Sequence, residues 1–152
     1  MVEGVHAGHG LVILPKYEKQ PKRIRKNTVS KADSKAAYEA VAVRSAGVCE
    51  GCGAMPATEI HHRLYRSRGG KDTIDNLMHL CGSGNIDGCH GDAHTLLGEQ
   101  RGWSVLRRND PLFIPAFRLC DGLWREVAVG QIIPAEEATR RMLAHNQIKD
   151  GA

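Results

Sequence analysis

Apolar positions recur at helical spacing in KAAYEAVAVRSAG, where Ala36, Tyr38, Val41, Ala42 and Ser45 give a small-residue face suited to core packing. Ser30 or Asp33 can cap this helix, and Gly47 is a natural stop. The pattern then shortens. Residues 59–64 (EIHHRL) predict a first strand and Leu77 to Leu80 a second, with RSRGGK as a glycine-bearing loop between them. A short helix is predicted from His90 to about Leu97. Gly91 weakens it by about 1 kcal/mol, so ligation rather than propensity should hold it. Beyond Gly102, the runs WSVLRR, PLFIPAFRLC and LWREVAV are short, apolar and alternating. Asn109-Asp110-Pro111 and Asp121-Gly122 break them, the punctuation of small β-hairpins. From Pro134, AEEATRRMLAHNQ has proline at its start, acids in the first turn and arginines further on, the signature of an amphipathic helix. The class is α+β, divided as an arm (1–30), a core (31–108) and an accessory hairpin and helix (109–152).

Composition narrows the picture. With 152 residues and 41% hydrophobic content, the chain fits one domain with extensions, and its core is modest enough to need a metal to complete it. The 21 Lys and Arg against 17 Asp and Glu give +4, which permits a polyanionic partner without demanding one. Much of the excess sits in residues 16–35, where Lys22, Arg23, Arg25 and Lys26 are candidate phosphate contacts. That stretch reads either as a solvated tail or as an arm that tracks a nucleic-acid backbone without reading sequence. GLVILP is too short for a signal peptide or a membrane span, so a cytoplasmic protein with no membrane partner is expected.

Five cysteines is an odd number, and four of them lie beside histidines. This argues for thiolate ligation in a reducing compartment rather than a disulfide framework. Cys49 and Cys52, with Cys81 and Cys89, suit a closed tetrahedral structural zinc (Zn2+) site. Cys120, left over, reads as a small buried or half-buried strand residue. His61 and His62 are adjacent, and in an extended chain they point to opposite faces, so one can bind a metal while the other stays free. His90 and His94 are four apart, which on a helix places both imidazoles within reach of one ion. His79 and His145 read as structural and surface residues, and His6 and His9 as part of a loose terminus.

The order C-x2-C, HH, N, C…CH-x3-H resembles the HNH endonuclease family, whose core is the ββα-metal (His-Me) finger. HHRLYRSRGGKDTIDNLMHLCGSG and GCHGDAH, followed by Gly102-Trp103, are particularly similar to small HNH nucleases encoded by phages of actinobacteria. One departure is the second cysteine pair, spaced by seven residues where many relatives have C-x2-C. The resemblance implies a DNA endonuclease in which His61, His90 and His94 ligate a catalytic divalent cation (Mg2+, Mn2+, Ni2+, Co2+ or Zn2+). It makes His62 the general base and Asn76 the residue that fixes the loop and the base. Arg63, Arg66, Arg68 and Lys71 are then the first choices for contacts to the DNA backbone. The rival is a zinc-stabilised DNA-binding or packaging module without catalysis, and the presence of all five site residues argues against it. A third reading places the nuclease in DNA packaging, with a phage terminase as partner.

Overall fold

A computed structural model describes residues 29–148 of the chain. The candidates Lys22, Arg23, Arg25 and Lys26, together with His6 and His9, lie outside the described residues.

The first helix, α1 (Lys31–Ser45), is capped by Ser30, whose hydroxyl accepts from the Asp33 amide at 3.1 Å. It ends where Ala46 and Gly47 both turn left-handed, at φ 49° and 75°. Its inward face is Tyr38, Val41 and Ser45, with Ala37 in place of the expected Ala36 and Ala42, which are exposed. The Arg44 guanidinium then ties four regions together. It pairs with Glu50 at 2.6 Å and donates to the carbonyls of Ile74, Leu77 and Val127 at 2.6–2.8 Å. The Ser45 hydroxyl meets His79 Nδ1 at 2.9 Å, giving that histidine its structural place.

Strands β1 (Glu59–His62) and β2 (Leu77–Leu80) pair antiparallel, with His61 opposite Met78 and His62 opposite Leu77. β1 ends before Leu64 because the Leu64 amide turns to the Asn76 side chain at 2.6 Å. The helical stretch is split into α2 (Gly88–Ala93) and α3 (Leu96–Gln100). Thr95 interrupts it, accepting from the Leu97 amide and donating to the Asp92 carbonyl, so His94 sits just past the end of α2 instead of inside a helix reaching Leu97.

The C-terminal part holds a three-stranded sheet, β3 (Ala116–Arg118), β4 (Leu123–Arg125) and β5 (Ile132–Ile133), followed by α4 (Ala135–Ala144). WSVLRR forms no strand. Its amides go to the Gly98 and Arg63 carbonyls, at 2.8 Å for both Trp103 and Val105, and the segment closes over the core. Cys120, expected in a strand, is exposed in the turn between β3 and β4. His145 is half-buried and stacks on Phe113 at 5.7 Å. Along α4, Ala138 and Met142 face inward while Glu137 and Arg141 pair at 2.7 Å on the outer side. The core gathers Cys49, Cys81 and Cys89 with Met78, Leu80, Ala93, fully buried Trp103, Ala116 and Val127, and Cys52 packs against it. Among the described residues, no helix is long and apolar enough to cross a membrane.

Candidate active site

Four sulfurs converge first. Cys49 and Cys52 flank a tight knuckle in which Gly53, at φ 70°, donates to the Cys49 carbonyl. Cys81 follows β2 and Cys89 stands in α2. The sulfurs of all four lie within 4.8 Å of one another. The long spacing of the second pair is absorbed by an exposed excursion that begins at Gly82 (φ 114°) and returns at Gly88 (φ 61°), with the His90 amide closing on the Cys81 carbonyl at 2.9 Å. A Cβ on Gly82 would lie 2.1 Å from the Asp87 carbonyl oxygen, so only glycine makes this turn. Cys81 therefore joins the cluster despite its distance from Cys89 in sequence.

The donor set fits zinc. Tetrahedral sulfurs at Zn–S distances of about 2.3 Å stand about 3.8 Å apart, and Cys52 and Cys81 are at 3.9 Å. Hydrogen bonding from Cys89 brings the Cys49 thiol down to about 4, while the same bond pushes the Cys89 thiol up. The Cys49 thiolate thus keeps Cys89 protonated, and a bound cation would remove that conflict.

Three imidazoles form a second cluster. His61, His90 and His94 each bring one donor within 4.8 Å of the others. His61 is buried in β1, and its Nε2 is engaged by the Trp103 carbonyl at 3.0 Å, which turns Nδ1 toward its neighbours. Burial and the adjacent His90 and His94 bring its pKa down to about 3, so it stays neutral, the form a cation requires. Buried side-chain polar atoms without a hydrogen bond are rare. Among the described residues there are three, and two of them, His90 Nδ1 and His94 Nε2, belong to this cluster. Glu59 Oε2 lies 2.6 Å from His90 Nδ1. The residues present therefore fit a divalent cation. The Tyr65 ring stacks on His94 at 5.0 Å and walls the cleft on one side.

His62 points the other way, as alternation along a strand requires. Its Nε2 meets Asp72 Oδ1 at 2.7 Å. Burial holds its pKa below the ordinary histidine value, against the opposing pull of the Asp72 hydrogen bond, so the ring is neutral at pH 7. Asn76 is buried and lies outside both metal clusters. Its Oδ1 accepts from the Leu64 amide at 2.6 Å, and its Nδ2 donates to the carbonyls of Leu64 and Lys71 at 3.1 and 2.9 Å, pinning both ends of the intervening loop.

That loop carries the candidate DNA contacts. Arg66, Arg68 and Lys71 are exposed on it, with Arg68 stacked over the Tyr65 ring at 4.7 Å. Arg63 is different and has to be struck from the DNA-facing set. It is fully buried, and its guanidinium donates to the carbonyls of Gly102, Asp75, Pro111 and Ile114 at 2.5–3.0 Å, which leaves nothing for a phosphate. Burial brings its pKa down to about 9, still high enough to keep it charged. Sequence reasoning missed Asp72 and Glu59. Position along the strand could have flagged Glu59, which shares a face with His61, whereas Asp72 has no local signal.

Residues 49–95 match the family model described as HNH endonuclease. That stretch is an HNH endonuclease domain by its match. The match begins at Cys49 and ends one residue past His94, so it spans the four-cysteine cluster, the three-histidine cluster and His62. No curated protein and no solved structure matches the chain.

The HNH loop is closed by a tight approach at Gly70, where a Cβ would lie 1.6 Å from the Leu64 carbonyl oxygen and 3.0 Å from Asn76 Nδ2. Gly70→Ala is therefore expected to break the Asn76 clamp and lower stability by about 1–3 kcal/mol, the usual result of forcing extra volume into a packed place. Urea denaturation checks it, and an unchanged midpoint would show that the loop shifts at no cost.

Proposed function

We propose that the protein is a metal-dependent endonuclease that hydrolyses DNA phosphodiester bonds in the cleft lined by His61, His62, Tyr65, Arg66, His90 and His94. One observation carries the reading. Three imidazoles converge within 4.8 Å of one another, while His62, lining the same cleft, is held apart from them by its own carboxylate partner. A purely structural HNH remnant has no need for a separately held fourth imidazole.

His61, His90 and His94 would hold the cation, which when bound neutralises charge developing on the phosphoryl and leaving oxygens. The chain does the rest. His62 accepts a proton from water as the new oxygen–phosphorus bond forms and the bond to the leaving oxygen breaks. Its neutrality at pH 7 suits that task. Arg66, Arg68 and Lys71, exposed on the loop beside the cleft, position the backbone by its phosphates without reading bases. Three imidazole donors favour manganese, cobalt, nickel or zinc more than an all-oxygen set would, so magnesium need not be the best activator.

The test is conversion of supercoiled plasmid to nicked or linear form, with the four-cysteine zinc in place and each divalent cation added in turn. Metal-dependent cleavage is expected. DNA binding with no cleavage under any cation would favour the binding-module reading instead.

A further inference from the structure

The base needs more than its place on the strand. An imidazole can take a proton only at the ring nitrogen that carries none, and only if that nitrogen faces the substrate. We propose that Asp72 is the positioning residue for His62, holding the ring as its Nε2–H tautomer so that Nδ1 is the acceptor presented to the cleft. The inference rests on the nuclease reading above and adds to it the group that orients the base.

The geometry comes from three elements. Asp72 Oδ1 lies 2.7 Å from His62 Nε2, and Oδ2 accepts from the Ser34 hydroxyl of α1 at 3.0 Å. A carboxylate oxygen and an unprotonated ring nitrogen at that distance would repel each other, so the proton between them sits on Nε2. Burial pushes the Asp72 carboxyl up, but the His62 and Ser34 hydrogen bonds and the Arg66 charge outweigh it and keep the group ionised. Arg66 Nε also approaches His62 Nε2, at 3.1 Å. Its N–H points at that nitrogen, which cannot both accept from Arg66 and donate to Asp72; the shorter carboxylate contact decides for the proton, and Arg66 is held by Tyr38 Oη at 2.6 Å and by Asp72 at 3.4 Å.

Asp72 is fixed in its turn. It follows Lys71, whose carbonyl accepts from Asn76 Nδ2, so the buried asparagine, through Lys71 and Asp72, sets the direction of the His62 ring. Asn76 thus acts on the base without touching it. A stabilising surface ion pair is a poor alternative account, because Arg66 is 63% exposed and such pairs contribute little.

The experiment is ring-nitrogen NMR of His62 in the zinc-loaded full chain, assigned with His62→Ala, beside plasmid nicking by wild type and Asp72→Asn. The wild-type ring is expected as the Nε2–H tautomer. In Asp72→Asn the amide can donate to Nε2, so the tautomer should be lost or reversed. The nicking rate should then fall about 10²- to 10⁴-fold with zinc content and DNA affinity unchanged. A wild-type ring found as Nδ1–H would overturn the proposal whether or not the variant folds, and so would wild-type nicking by a folded Asp72→Asn protein. If no cation supports cleavage by wild type, the nuclease reading fails by itself, while the tautomer comparison still decides what Asp72 does.

Discussion

Stripping the four-cysteine metal is expected to unfold the protein, not merely to silence it. The four thiols lie at the joints of the domain: the knuckle after α1, the end of β2 and the start of α2. α2 has only six residues and carries Gly91. Isolated helices shorter than about 12–15 residues are marginal in water, so α2 depends on what it is fastened to. Structural zinc contributes about 10–16 kcal/mol in zinc-finger peptides, against a net stability of about 5–15 kcal/mol for a whole domain. Losing the ion therefore exceeds what the remaining packing can offset. The protein should hold at least one zinc per chain by elemental analysis and lose its far-UV signal with that zinc in strong chelator. Cys49→Ser should do the same without chelator, whereas Cys120→Ser should keep the metal, because Cys120 is exposed outside the cluster. Native circular dichroism from a zinc-free protein would sink the assignment.

The second large effect is on rate, and it separates two neighbouring histidines. His62→Ala should lower nicking about 10²- to 10⁴-fold, the usual contribution of a general base, with zinc content and DNA binding intact. No concentration of cation should restore it, since what is missing is a proton acceptor. His61→Ala should behave differently. It removes one of three imidazoles and leaves His90 and His94 facing the same space, so the activating cation should bind more weakly and added cation should recover part of the rate. The comparison is a nicking time course for each variant across a cation titration. Full recovery of His62→Ala by cation would reverse the two roles.

The two clusters of candidate ligands were legible in the sequence because metal spacing is local. An adjacent pair on a strand, a pair four apart near a helix and two residues between Cys49 and Cys52 state their geometry without the rest of the fold. Where sequence reading erred, a longer-range term won. Arg63, near the end of the predicted first strand, is a first choice for DNA contact by the resemblance, but it continues the alternation of β1 on the side of His61, and that period-two alternation would have buried it. Its charge is satisfied by carbonyls from residues 102–115, far along the chain, which no local pattern reveals. WSVLRR has the apolar content of a strand but spends its amides on loop carbonyls, since burying Trp103 over the cysteines outweighs extending a ladder. Gln147 shows the same limit. It is buried and bonded to Leu106, Asn109, Glu99 and Ser104, yet in sequence it is only the last residue of the amphipathic run that begins at Ala135.

The pairing of His61 with Met78 and of His62 with Leu77 also creates a hidden way to fail. Side chains alternate with a period of two, so a shift of β1 by one residue against β2 exchanges its faces completely. His62 would enter the interior and His61 would face solvent. Such a molecule could keep its helices, its ladder and its zinc, and so look native by far-UV spectrum and metal content, yet cleave nothing. On the proposed function, preparations of this protein are therefore better compared by the fraction of chains that nick plasmid than by the fraction that is folded.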